Sequence, residues 1–415
     1  MPSTLPRPRP HVNGHTGAQR ASGRVLWLLP VLVLLGYLCL WPTVIRPQTW
    51  NAPTDAGYTG AYAVNQKLAD LQVHEMGAGR VGPEFILAVG ERLYTGLLNG
   101  EVLRWEADGT AFTRVVDTGG RPLGLDVDAQ GRLLVADALR GLLRVTGEGA
   151  GAHIETLLRT VNSPVANDPV GYADAVKVGP DGTLWLTDAS RRFRVSPSLS
   201  SFDASVLDVL EHSCSGRLIA QDPQTLQARV AIQGLCFPNG LAFSGDGRTL
   251  FVSETETYRI LAVDLAKLSV VRTGDGDNGV PTLAQAMQQG AVRVLIDNLP
   301  GFPDNLTRAP SGRIWVGLTK PRSPVIDFAA QHPFLREVTL RLPHALWPVP
   351  KAYGHVLAFN DAGRVLDDLQ DPNGGYPETT AATEAGGRLW IQSLNTRTVG
   401  SMVYPGPPTA TAQAR

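Results

Sequence analysis

The sequence predicts an all-β chain, a six-bladed β-propeller preceded by one apolar N-terminal helix. Three observations predict it: six similar segments recur along the chain, Gly-containing turns punctuate them, and an uncharged apolar run of 21 residues lies near the N-terminus. The 415 residues include 44 Gly and 31 Pro, and only 18% are charged. This composition is typical of a turn-rich β protein with a large core, and it excludes a disordered or fibrous chain.

The apolar run extends from Val25 to Ile45. About 20 apolar residues are enough to span a bilayer, so we predict a transmembrane signal anchor. A cleaved signal peptide and a buried core helix are the alternatives, although the h-region of a signal peptide is usually only ~7–15 residues long. No acidic residue precedes the run, and the positive-inside rule therefore predicts a cytoplasmic N-terminus and an extracytoplasmic remainder, periplasmic in a bacterium. The basic residues before the run are Arg7, Arg9, Arg20 and Arg24.

The predicted domain organisation follows from these segments. Residues 323–348 break the strand pattern and are predicted to form an amphipathic helical insertion in the fifth blade. This insertion could cover the channel mouth, rest on a bilayer or simply pack against the propeller. The predicted parts are a cytoplasmic tail with Pro and Arg at 1–24, the transmembrane anchor at 25–45, a linker at 46–75, the propeller at 76–405 and a flexible tail at 406–415.

Six repeat units share one pattern. In each, a polar or Gly position opens an apolar strand, a turn with Gly follows, and a second strand ends near Asp, Glu, Ser or Thr. The opening positions lie 40, 50, 65, 65 and 74 residues apart. Blades of four strands need ~40–50 residues, and a closed ring hides their edges, which favours a propeller over a β-sandwich or unrelated hairpins. The opening positions are Glu84, Gly124, Asp174, Asn239, Asp304 and Glu378.

The openings of four units predict a metal site. The innermost strand of each blade lines the central channel, so these side chains are expected to converge near its axis. Like charges so close together need a cation, and ligation by oxygen alone, without Cys or His, is typical of Ca²⁺. Local turn or strand caps are the alternative interpretation. The candidate ligands are Glu84, Asp174, Asn239, Asp304 and the adjacent Asn305.

The stretches RPLGLDV, YADAVKV, LCFPNGLAFS and LPGFPDNLTRAPSGRIWVGL are the most specific in the chain. In them it resembles strictosidine synthase-like proteins, more closely the adipocyte plasma membrane-associated protein branch, within a wider set that includes paraoxonases, regucalcin and gluconolactonases. The resemblance covers about Gly82 to Ser401 and the N-terminal anchor. It implies a six-bladed propeller with one catalytic or structural Ca²⁺ at the channel mouth, held by the same five residues. Position 174 is often Asn in related chains, whereas this sequence has Asp.

The predicted function is Ca²⁺-dependent hydrolysis of a small carboxylic ester or lactone. A Ca²⁺ ion can stabilise the oxyanion that develops on the carbonyl, and Asp304, followed by Asp174, is the candidate for orienting or deprotonating water. The alternative is a non-catalytic propeller that binds a partner and uses calcium structurally. The condensation performed by strictosidine synthase is not expected, because Glu378 matches its catalytic glutamate poorly.

The remaining chemistry-bearing residues form no motif. His212 and His355 belong to no catalytic or metal-spacing pattern, and packed or surface imidazoles are the preferred interpretation. Cys214 and Cys236 flank a hairpin that places them opposite one another, so they are either a disulfide or two free thiols. A net charge of −1 and the lack of a basic run exclude nucleic acid as an expected partner.

Overall fold

The computed structural model describes residues 22–109, 111–162, 165–273 and 278–404. Most of the predicted cytoplasmic tail and all of the predicted tail at 406–415 lie outside these residues. Within them the chain forms six antiparallel sheets of four strands and one two-stranded pair, Thr160–Val161 with Asp168–Pro169. The prediction of a six-bladed β-propeller is confirmed.

Each blade is built from four strands, which follow one another from the channel outward. Blade 1 is Ile86–Val89, Arg92–Gly96, Glu101–Glu106 and Thr113–Asp117, blade 2 is Pro122–Val127, Leu133–Asp137, Gly141–Thr146 and His153–Leu158, and blade 3 is Ala173–Val178, Leu184–Asp188, Gly216–Gln221 and Ala228–Leu235. Blade 4 is Pro238–Phe243, Thr249–Glu254, Arg259–Asp264 and Val292–Ile296, and blade 5 is Gly301–Arg308, Ile314–Pro321, Gly354–Phe359 and Val365–Asp371. Blade 6 is Thr379–Ala385, Arg388–Ser393, Thr398–Val403 and Gln72–Glu75.

The ring is closed by the strand Gln72–Glu75. It pairs antiparallel with Thr398–Val403, with Gln72 opposite Ser401. The prediction that this stretch belongs to the linker is therefore wrong. The strand is short and mostly exposed, and its partner lies more than 300 residues away, so no local pattern marks it.

Apolar side chains fill the spaces between neighbouring blades. In one such layer Trp185 and Leu218 of blade 3 pack with Leu241 and Leu261 of blade 4. Neighbouring blades cover both faces of a blade, which explains why second strands such as Leu133–Asp137 and Leu184–Asp188 are buried along their whole length.

Two helical insertions lie at the same end of the propeller as the openings of the innermost strands. Strands alternate in direction, so every connection between the second and third strands of a blade lies at that end. In blade 3 this connection holds the helix Ser201–Glu211, and in blade 5 it holds Pro324–Ala329, Pro333–Arg341 and the 3₁₀ turn His344–Leu346. We call this end the upper face. The remaining, shorter helices are Gly60–Tyr62, Gly149–Gly151, Thr255–Thr257, Leu265–Leu268 and Leu283–Gln288.

The N-terminal helix covers Ser22–Leu40 and ends before the predicted limit at Ile45. Trp41 precedes Pro42, and a proline disfavours helical geometry in the residue before it. No helix in the described ranges is long and apolar enough to cross a membrane. Ile45 is buried in an apolar cluster on the upper face of the propeller.

The segment after the helix is fixed between the two insertions. The backbone N–H of Gln48 donates to the carbonyl of Glu211 at 2.7 Å, and its carbonyl accepts from Arg336 Nη2 at 2.5 Å. Trp50 stacks on His212 with the ring centroids 4.3 Å apart. The beginning of the predicted linker is therefore part of the upper face.

Cys214 and Cys236 form a disulfide, the first of the two predicted alternatives. It joins the segment before the third strand of blade 3 to the connection that enters blade 4. Cys39, in the N-terminal helix, is a free and exposed cysteine.

Candidate metal centre

The five predicted ligands lie together at the upper end of the channel. Glu84 precedes the innermost strand of blade 1, and Asp174 and Asn239 are the second residues of those strands in blades 3 and 4. Asp304 and Asn305 lie in the innermost strand of blade 5. Each side chain is at most 5% exposed. The structure thus brings together every residue of the predicted set.

Glycine allows neighbouring innermost strands to approach closely at the level of the cluster. A Cβ at Gly124 would lie 2.6 Å from the carbonyl oxygen of Asp174, and one at Gly240 would lie 2.6 Å from the Cα of Asn305. Real Cβ atoms essentially never come so close, so these positions require Gly. The close approach places the candidate ligands of adjacent blades side by side.

Hydroxyl groups on the second strands fix this arrangement. Thr187 Oγ1 accepts from the N–H of Ala175 at 2.9 Å and donates to the carbonyl of Asn239 at 2.8 Å. Ser253 makes the equivalent pair of hydrogen bonds in blade 4. Its hydroxyl accepts from the N–H of Gly240 at 2.8 Å and donates to the carbonyl of Asp304 at 2.5 Å. The backbones of Asn239 and Asp304 are thereby each tied to the preceding blade.

The same network reaches blade 1 through the carbonyl of Glu84. Asn305 Nδ2 donates to it at 3.2 Å, and Thr380 Oγ1 of blade 6 donates to it at 2.5 Å. Because Asn305 commits its amide nitrogen to this bond, its Oδ1 is left for another partner.

Four oxygen atoms in the cluster are buried without a hydrogen-bond partner among the described residues. A buried polar group normally has one, and leaving it unpaired costs about 1–3 kcal/mol. All four are carboxylate or amide oxygens, the ligand type that Ca²⁺ prefers. The residues present therefore fit a bound divalent cation. The unpartnered atoms are Asp174 Oδ1, Asn239 Oδ1, Asp304 Oδ1 and Asn305 Oδ1.

The carboxylates of the cluster outnumber the positively charged side chains that contact them in the described chain. Within the described ranges its only ion pair joins Glu84 to Arg121 Nη2. Burial, together with the neighbouring carboxylates, raises the pKa of Asp174 and of Asp304 well above the usual range. Burial also raises the pKa of Glu84, against the opposing effect of Arg121. Three carboxylates facing one guanidinium leave two charges, which one divalent cation would balance.

Arg121 and Tyr172 connect the cluster to the helix Ser201–Glu211. Tyr172 Oη donates to the carbonyl of Ser201 at 3.1 Å, and Arg121 Nε donates to the hydroxyl of Ser201 at 3.4 Å. Burial, followed by the charge of Asp174, raises the pKa of Tyr172 well above its usual range. Both residues lie in the specific stretches RPLGLDV and YADAVKV, but the sequence predicted no role for either, and their contacts with Ser201 depend on a helix that it did not predict.

The other candidates contact residues outside the cluster. Glu378 contacts Lys320 Nζ at 2.5 Å and accepts from Asn395. His355 is buried in the outer part of blade 5, where its Nε2 lies 2.6 Å from Asp368 Oδ1. His212 packs against Trp50 on the upper face. Both imidazoles are packed, and all three residues have their partners outside the set of candidate ligands.

Fold and site together define a six-bladed propeller with an acidic, oxygen-lined centre on its axis. The chain belongs to the SMP-30/gluconolactonase/LRE-like family, whose characteristic region matches residues 88–349. The N-terminal region of strictosidine synthase-like proteins matches residues 60–105. The resemblance to these families predicted from the sequence is confirmed.

Similar proteins agree with this assignment. The adipocyte plasma membrane-associated protein of Danio rerio is 28% identical over 390 residues, which cover 88% of this chain and 85% of that protein. A strictosidine synthase-like protein of Arabidopsis thaliana is 29% identical and covers 78% of each chain. A solved gluconolactonase from Xanthomonas campestris has the same fold, with a TM-score of 0.50, 19% identity and coverage of 87% and 98% of the two chains.

Proposed function

We propose that this protein is a membrane-associated, Ca²⁺-dependent hydrolase of carboxylic esters or lactones. The observation that carries the proposal is the set of four buried oxygens without partners in the described chain, beside an unbalanced group of carboxylates. Family membership and the likeness to a gluconolactonase support the choice of reaction.

The cation would be held by Asp174, Asn239, Asp304 and Asn305, with Glu84 completing the set. When bound, it would supply a Lewis acid for the carbonyl oxygen of the substrate. Arg121 holds Glu84 in place through their ion pair. Asp304, and after it Asp174, would orient water for attack and accept its proton, because each carboxylate has an oxygen that no described protein group occupies.

The restricted access to the cluster favours a second candidate function. The five side chains are buried, and the contacts of Ser201 with Arg121 and Tyr172 hold a helix against the cluster. A purely structural Ca²⁺ in a binding module would suit this enclosure. Hydrolysis requires the helix to move or the substrate to enter along it.

The membrane association is proposed from the N-terminal helix and the relatives. Leu29, Leu32 and Val33 each expose more than 60% of their surface, which is typical of a helix that contacts lipid. Relatives are named plasma membrane-associated proteins. The disulfide is typical of an oxidising compartment, in agreement with an extracytoplasmic propeller.

Hydrolysis of a panel of aryl esters and lactones by the full chain in detergent tests the reaction. We expect activity with Ca²⁺, its loss with chelator, and at least a roughly hundredfold lower kcat/KM in Asp304→Asn. Asp108→Asn is the matched control, because Asp108 is exposed in a turn at the opposite end of blade 1. Absence of all hydrolysis, together with a lower Tm in chelator, would instead support the binding module.

A further inference from the structure

We propose that the upper face of the propeller lies on the bilayer surface, with the blade 5 insertion as its lipid contact. This proposal rests on the proposed membrane association and adds a second contact to it. The insertion and the helix Ser201–Glu211 both lie on the upper face, the end of the propeller that also holds the candidate metal centre. Docking at this face would turn the covered channel mouth toward lipid.

The insertion exposes apolar side chains that no described part of the chain covers. Phe328 and Leu346 are 61% and 64% exposed, as large a fraction as that of the apolar residues in the N-terminal helix. Lone exposed apolar residues are ordinary, but a group on one short segment marks an interaction surface. The group is Val325, Phe328, Phe334, Leu335, Leu346 and Val349, with Phe202 from the neighbouring helix.

Charged residues of the insertion are turned inward or paired. Arg336 is 4% exposed and donates to the carbonyls of Leu210 and Ala330 at 3.2 Å each. Asp327 pairs with Arg322 at 2.7 Å. These polar groups, which would oppose contact with lipid, are thus removed from the surface.

The exposed surface is continuous with the N-terminal helix, which identifies lipid as the occupant. Arg341, at the end of the insertion helix, donates to the carbonyls of Leu38 at 2.9 Å and Trp41 at 2.7 Å. Tyr37 Oη donates back to the carbonyl of Arg341 at 3.0 Å. A membrane that contacts the N-terminal helix would therefore lie beside the insertion.

Aromatic residues and a cleft mark the expected lipid boundary. Trp41, at the end of the N-terminal helix, is 60% exposed, and Trp and Tyr are enriched at the level of lipid headgroups. Between the two insertions lies an open cleft of about 230 Å³. Its lining is mostly apolar and consists of Asp203, Val206, Leu207, Leu340, His344 and Trp347.

Depth-dependent fluorescence quenching tests the contact. The full chain is reconstituted in phosphatidylcholine and phosphatidylglycerol vesicles, and a single cysteine carries an environment-sensitive dye. The native Cys39 reports the anchor. Phe334→Cys in a Cys39→Ser background reports the insertion, and Val270→Cys in the same background is the control. Val270 is 72% exposed and follows the third strand of blade 4, at the lower end.

We expect doxyl-labelled lipid to quench the dye at position 334 at least twofold more than at position 270. Quenching at position 39 with equally weak quenching at positions 334 and 270 would overturn the proposed lipid contact of the insertion. It would leave the membrane association of the N-terminal helix in place. Absence of quenching at 39 would overturn both. Protection of 334 from iodide without quenching by doxyl lipid would identify a second protein copy and also overturn the proposal. If Phe334→Cys does not fold, Phe328→Cys serves the same purpose, and ester hydrolysis in detergent scores the proposed reaction separately.

Discussion

The side-chain oxygens of Asp174, Asn239, Asp304 and Asn305 show how four single positions create a site. Each lies in an innermost strand, and Gly124 and Gly240 allow the backbones of neighbouring innermost strands to approach closely beside them. Such an arrangement stores unfavourable free energy, because buried unpaired oxygens and like charges both destabilise the folded chain. A bound cation would convert this cost into binding free energy.

Whether Asp174→Asn stabilises or destabilises the protein should therefore depend on whether Ca²⁺ is bound. In chelator, Asp174→Asn is expected to stabilise the protein by about 1–2 kcal/mol, because it removes one of three buried carboxylates. In saturating Ca²⁺ the same variant is expected to be less stable than the wild type, because a charged ligand is lost. Thermal denaturation of the wild type and the variant, each in chelator and in Ca²⁺, measures this reversal of their order of stability, with Asp108→Asn as the control. Destabilisation in chelator as well would argue that Asp174 is a structural cap.

His212 should make the stability depend on pH. Burial and the nearby Arg336 and Arg259 lower its pKa to about 4 from the ordinary 6.5, while Glu254 opposes them. Between these values the unfolded chain binds a proton that the folded chain excludes, so stability falls as the pH drops from 6.5 to 4. The full effect is of the order of 3 kcal/mol.

The variant His212→Asn isolates this contribution. His212 has φ 54°, and Asn tolerates the left-handed region without adding a titratable group. The slope of the Tm against pH between about 4 and 6.5 should be smaller in the variant than in the wild type. Parallel curves would show that other groups cause the acid sensitivity. Glu256, which lies 3.0 Å from Nδ1 of His212, acts in the opposite sense: burial raises its pKa well above its usual range, so its protonation favours the folded chain as the pH falls.

Among the elements, the innermost strands could be predicted and the insertions only in part. The strand openings recur with the same local chemistry, and the turn with Gly that follows each strand marks them in the sequence. The helix Ser201–Glu211 has no counterpart in the other described blades except the blade 5 insertion, so neither it nor the contacts of Arg121 and Tyr172 with Ser201 could be inferred. Gln72–Glu75 was missed because strand pairing with a distant partner leaves no local signal.

The disulfide is an element-scale brace for this region. Cys214 and Cys236 close a loop of 22 residues beside the helix Ser201–Glu211. Replacing both by Ser is expected to lower the free energy of unfolding by about 3 kcal/mol, because the unfolded chain regains loop entropy. Urea denaturation of the wild type, the double variant and Cys39→Ser measures it. A double variant as stable as the Cys39→Ser control would show that packing alone holds the loop.

At the scale of the whole molecule, the candidate metal centre joins blades that are far apart in sequence. Its five residues come from blades 1, 3, 4 and 5, and the hydrogen bond of Thr380 to Glu84 adds blade 6. The strand Gln72–Glu75 closes the ring by pairing with Thr398–Val403 of blade 6, and the cluster links the innermost strands at the channel axis. The cation would thus stabilise the closed propeller as well as serve any reaction.

Calorimetric titration of Ca²⁺ into the full chain, stripped with chelator, tests the central claim most directly. We predict one Ca²⁺ per chain, at least tenfold weaker binding in Asp304→Asn, equivalent to about 1.4 kcal/mol, and unchanged binding in Asp108→Asn. Absence of binding to the wild type, or equal affinity in Asp304→Asn, would contradict the assignment of this cluster as a calcium centre.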